Sequence, residues 1–192
     1  MVDETNAERL ARADRSFGIG RSLWTYIEYW LESAMLQCDR LSGDAVKTAT
    51  TQQRWSDATF LVISLHNLRI AIDFVQAVVQ SDVLAAALYR FEAVVPDIAA
   101  SRDTLLHFSE WSDEQLGDGP VAKADWPYFP YVGVKPDGTE VGVLIAKDAM
   151  RRFDVLSGRQ AAWDLAMATS SALAANSAHD GPTPVPESET RG

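Results

Sequence analysis

The run Arg102-Asp103-Thr104-Leu105-Leu106-His107 carries, within six residues, the kinds of group that phosphodiester cleavage without a metal requires. That reaction needs a group to activate the 2′-hydroxyl of RNA, a cation beside the pentavalent phosphorane, and a proton for the leaving oxygen. An imidazole titrates near pH 6.5 and so exchanges protons at cellular pH. A guanidinium stays charged and presents a rigid fork that matches phosphate oxygens. On a helix, Asp103 and His107 share a face, so the carboxylate can orient the ring. Arg102 and His107 are five apart, about 140° around the axis, and can border one groove without stacking on each other. Arg102, His107 and Asp103 are therefore the candidate catalytic residues. The alternative is a partly buried bundle histidine, with Arg102 at the surface paired to Asp103 or a neighbouring acid.

Further candidates flank this run. His66, Arg69 and Asp73 recur at three- and four-residue spacings, which lets His66 and Arg69 serve as binding residues facing the same groove. Their alternative is a polar seam closed by an Arg69–Asp73 ion pair. Glu110, three residues after His107, can assist it or bind a cation, or simply be solvated. No metal is expected, because His66, His107 and Glu110 lack a recognised ligand spacing. No cofactor is expected either. Phe17-Gly18-Ile19-Gly20-Arg21 has neither the lysine nor the preceding strand of a phosphate loop, and there is no Ser-His-Asp order or CxxC motif.

Helices must position these groups. Leu23, Ile27, Trp30, Leu31, Ala34 and Met35 mark one face of a helix over Ser16 to Leu41, with Gly43 as its C-cap. A polar connector, Asp44 to Thr51, follows. The longest periodic segment, Gln52 to Gln80, is apolar over much of its circumference and reads as the central helix of a bundle. A third helix, Asp82 to Val95, starts at a Ser81 or Asp82 cap and ends before Pro96. A fourth, Asp97 to Trp111, carries the Arg-Asp-His run. After Gly117, short apolar runs bounded by Pro and Gly predict strands at Tyr131–Val134 and Val141–Ile145. Lys135-Pro136-Asp137-Gly138 is their turn, and Arg152–Val155 a third strand. A last helix is expected over Gly158–Asn176, capped by Ser157.

The expected fold is thus mainly α, a four-to-five-helix bundle with a small antiparallel β hairpin or meander near the C-terminus. Residues 1–16 read as a flexible lead-in and 17–116 as the bundle. Residues 117–176 read as the hairpin with a helix packed on the bundle, and 177–192 as a disordered tail. The six tryptophans, Trp24, Trp30, Trp55, Trp111, Trp126 and Trp163, read as core or interface anchors.

An arginine followed by Asn, Asp or His, with a histidine four to six residues further on in a late bundle helix, resembles the signature of the HEPN superfamily. Arg102, Asp103 and His107 match all three positions, and the similarity spans at most residues 20–112. The string RDTLLHFSEW also resembles uncharacterised actinobacterial proteins of similar layout. The HEPN resemblance implies a HEPN-like bundle, a homodimer that brings two grooves together, and metal-independent RNA cleavage in a toxin or defence role. A protein partner such as an antitoxin is implied with it. Some HEPN members are inactive and use the bundle only to associate.

Composition sets bounds on these readings. A net charge of −10, from 27 acidic against 17 basic residues, opposes broad attraction to nucleic acid or anionic membranes and leaves a compact phosphate site open. No membrane span is expected, because His66, Asn67, Arg69, Asp73 and Gln76 interrupt the most apolar stretch. The single cysteine, Cys38, and the mixed-charge N-terminal segment point to the cytoplasm. Surplus apolar positions on the first two helices point to a homodimer. Two functions follow: a metal-independent endoribonuclease, favoured by the intact Arg-Asp-His pattern, or a non-catalytic association module, favoured by the acidic charge. An open cleft at Arg102 and His107 separates the first from a packed, dry core.

Overall fold

A computed structural model describes residues 23–106, 128–129, 132–135, 137–146 and 149–179. In chain order the elements are α1 (Leu23–Leu41), α2 (Gly43–Thr48), α3 (Thr51–Val79), α4 (Asp82–Val94) and α5 (Ile98–Leu106), then β1 (Tyr128–Phe129), β2 (Val132–Val134), β3 (Glu140–Ala146) and β4 (Ala149–Asp154), and finally α6 (Val155–His179). The described chain is mainly helical, with one antiparallel sheet in the order β1-β2-β3-β4.

Local chemistry sets the helix starts. At α3, Thr50 Oγ1 accepts from Gln53 N at 3.2 Å while the Gln53 side chain accepts from Thr50 N at 2.7 Å. Two orphan amides are thereby satisfied at once, a capping box. Ser81 caps α4 by accepting from Leu84 N at 3.3 Å. For α6 the expected cap is corrected. Asp154 Oδ1 accepts from Ser157 N at 2.7 Å, so the helix starts at Val155, and it runs on through His179. A charged acceptor at that point is at least as good a cap as the Ser157 hydroxyl.

The expected connector after α1 is also corrected, since it contains α2. Ser42 is extended ahead of it, and Val46 is buried, which anchors the short turn. The strands form a four-stranded meander, longer than expected at β4 and joined by β1. The expected lead-in, and the part of the fourth helix beyond Leu106, lie outside the described residues.

α3 is central, as its all-round apolar pattern requires. It packs against α1, α4, α5, α6, β1 and β2, and Leu61, Val62, Leu65, Leu68, Ile72 and Val75 are fully buried. Each such side chain contributes roughly 1.5–3 kcal/mol of burial free energy. By length and composition α3 does qualify to cross a membrane, contrary to the expectation, with 56% of its most apolar stretch buried inside the protein. Pairing of Val132 with Val143 and of Val141 with Phe153 turns one sheet face inward. Those residues join the helical core in one cluster, so bundle and sheet share an interior.

The end of α1 is clasped from two sides. The β2–β3 turn closes through Gly138 N donating to Lys135 O at 2.8 Å and Lys135 N donating to Glu140 O at 3.0 Å. Gly138 has φ +72°, and a Cβ there would stand 1.8 Å from the Leu41 carbonyl oxygen. Only glycine permits both the backbone angle and the approach. From the other side, Cys38 Sγ donates to Val155 O at 3.7 Å and Arg159 pairs with Asp39 at 3.2 Å.

Candidate active site

α5 places the Arg-Asp pair beside α3, against which it packs. Arg102 is partly exposed, at 33% of its side chain, and its Nη1 donates to Asp103 Oδ1 at 2.8 Å. A guanidinium has five N–H donors, so this bond uses only part of the fork's capacity. The pairing is the one the surface alternative anticipates, yet Arg102 is not in a dry core. His107 and Glu110 lie outside the described residues.

On α3, within the electrostatic reach of the Arg102–Asp103 pair, stands His66, 6% exposed, with its Nδ1 buried and without a hydrogen-bond partner among the described residues. Burial lowers its pKa from the ordinary value, and the neighbouring positive charge of Arg102 lowers it further, partly offset by Asp103. The ring is therefore held neutral at cellular pH. Trp30 Nε1, Gln37 Oε1 and Gln76 Oε1 are also buried without partners, so an orphaned atom alone marks nothing. What distinguishes His66 is its place within the field of Arg102, Asp103 and Arg69.

Arg69 proves to be committed elsewhere. Its Nη1 meets Asp73 Oδ2 at 2.5 Å, and its Nε and Nη2 meet Glu92 Oε1 at 2.8 and 2.6 Å. All three nitrogens face carboxylates, which is the ion-pair alternative extended to a second acid. Burial raises the pKa of Asp73, with Arg69 pulling it back down and Glu92 adding to the rise. Glu92 was missed by sequence reasoning, because it reaches Arg69 from α4 and no helical spacing links the two. Beside this cluster, Arg69, Glu92, Pro96, Asp97 and Ile98 line a cleft of about 330 Å³ at the start of α5.

The structure thus brings Arg102, Asp103 and Arg69 into the electrostatic surroundings of His66, with Arg102 partly exposed. Among the described residues, no group of three or more His, Cys, Asp or Glu could hold a metal ion. Comparisons with known protein families, with curated proteins and with solved structures return no match.

Proposed function

We propose that the α3–α5 groove is the site of a metal-independent endoribonuclease of HEPN type. The observation that carries this reading is the partly exposed Arg102–Asp103 pair standing beside a buried, neutral imidazole at the start of the Arg-Asp-x-x-x-His run. In the reaction, a base takes the proton of the RNA 2′-hydroxyl and that oxygen bonds to phosphorus. The bond from phosphorus to the 5′-oxygen breaks, the leaving oxygen takes up a proton, and a 2′,3′-cyclic phosphate remains. Arg102 supplies positive charge to the phosphorane. His107 exchanges the protons, and a second subunit completes the groove.

The test is purified protein with RNA in EDTA. Cleavage should persist, spare DNA and leave 2′,3′-cyclic ends. His107→Ala should cost roughly 10²–10⁴-fold and Arg102→Ala about 10²–10³-fold. No cleavage by the wild type, or equal cleavage by the double variant, overturns it. A second reading, a non-catalytic module that dimerises or docks a partner, is favoured by the three-nitrogen engagement of Arg69, which removes one of the two arginines from phosphate binding.

A further inference from the structure

Away from the α3–α5 groove, α1 and α6 run side by side and leave apolar side chains uncovered. Leu156 is 57% exposed, Trp163 49% and Met167 46%. They recur at spacings of seven and four, so they form one stripe along α6. Met35 of α1 closes the stripe into a furrow of about 450 Å³ shared with Leu156, Arg159, Gln160 and Trp163. Contiguous apolar surface of this kind, rimmed by polar groups, marks interaction sites.

The rim has a sign. At 100° per residue, Glu28, Glu32 and Asp39 fall within about 60° of Met35 on α1, and all three are exposed. Arg159 lines the furrow and pairs with Asp39, so these two charges offset each other and Glu28 and Glu32 are the acids left along the α1 edge among the described residues. On the other flank of α6, Asp164 and Arg90 line one cleft and offset each other. The furrow is therefore apolar at its floor and acidic along its α1 edge.

We propose that this furrow docks an amphipathic basic segment of a partner protein. A bulky apolar side chain enters between Met35, Leu156 and Trp163, and lysines or arginines one and two turns away meet Glu32 and Glu28. This is helix-in-groove recognition with a charge-matched rim. A second copy of this chain would set like acidic rims against each other across a two-fold axis. An anionic bilayer would be repelled by the same rim. The inference is independent of the RNA reading, because none of these residues lines the α3–α5 groove.

The test uses the full chain and two labelled synthetic helical peptides with one leucine pattern, one filled out with lysine and the other with glutamate. Fluorescence anisotropy should show saturable binding of the lysine peptide, weakened by salt, and none of the glutamate peptide. Trp163→Ser should weaken binding about tenfold or more, as loss of an aromatic anchor does. Leu156→Ser repeats the test at a still more exposed position if the first variant melts early. Glu28→Lys with Glu32→Lys should weaken binding without touching the floor. Absence of binding by either peptide overturns the proposal, and so does binding that both serine variants leave intact. A sedimenting dimer that Trp163→Ser dissolves would assign the face to a second copy. Recovery with phosphatidylserine vesicles would assign it to lipid.

Discussion

At the end of α1 and in the α3–α5 groove the same bundle packs polar groups of different kinds. Around Leu41, the turn amide of Gly138 is bonded to Lys135 O, the Cys38 thiol reaches the Val155 carbonyl, and Asp39 has Arg159. Close approach leaves no spare room there. In the groove, His66 Nδ1 is buried without a partner among the described residues, Arg69 pairs with Asp73 and Glu92, and Arg102 pairs with Asp103. An unsatisfied buried donor or acceptor costs about 1–3 kcal/mol. Gln37 Oε1, one residue before Cys38, is orphaned too, so what separates the two regions is charge: the groove gathers ionised side chains, the end of α1 close backbone contacts.

The largest effect expected on this contrast is Gly138→Ala. Its methyl would overlap the Leu41 carbonyl and occupy a left-handed φ, a combination that should cost about 3–5 kcal/mol. Urea unfolding should show a midpoint drop without a change in slope; a loss below about 1 kcal/mol would mean that the seam yields. Next comes Cys38, fully buried, with burial pushing its thiol up to about 12. At pH 8 its thiolate should be scarcer than that of a free cysteine by about a thousandfold. Alkylation followed by mass spectrometry should therefore show labelling only on unfolding. Rapid labelling of the folded protein would show that the clasp opens.

The groove should respond more gently. His66→Leu should change stability at pH 7.5 by no more than about 1 kcal/mol, since it removes both a packed ring and an orphaned nitrogen. Its signature lies in the pH profile. The folded pKa of His66 is lowered, so the unfolded chain takes up the proton first as pH falls below about 6.5. The wild type therefore loses stability from there down to the folded pKa, and the variant lacks that loss. Asp73, raised in the folded state, acts with the opposite sign above 3.8 and cancels in the difference between the two proteins. Parallel melting profiles at pH 7.5 and 5 would refute the buried, neutral ring. Smallest of all, Arg69→Gln should cost at most about 1 kcal/mol, because Asp73 and Glu92 are both more than a third exposed and solvent screens the pairs. It should raise the Asp73 pKa further, which NMR titration of that carboxylate would register.

What was readable in advance follows the reach of each interaction. Caps and turns act over three or four residues, so Ser81, the end of α4 before Pro96 and the Lys135–Gly138 turn were all legible. So was the central role of α3, because apolar residues on every side leave it nowhere else to go. α2 was not legible: six polar-rich residues hold a helix only because Val46 is buried. The Asp154 cap was hidden inside what reads as a strand end. In the candidate site, the Arg102–Asp103 pairing was anticipated as an alternative, and the Arg69–Asp73 pair likewise. The Arg69–Glu92 bonds and the influence of Arg102 on His66 arise from packing of α4 and α5 on α3, which no spacing along the chain encodes.

The clasp on α1 also sets an order of events during synthesis. Cys38 and the Val155 carbonyl it meets are 117 positions apart. At the pace of translation, about 5–20 residues per second, roughly 6–23 seconds separate the emergence of the two. Throughout that interval the nascent α1 has α3, its main packing partner, but not α6, which closes the Cys38 side of it. A ribosome stalled between the two would leave Cys38, fully buried in the finished protein, open to alkylation, and release of α6 would end that exposure.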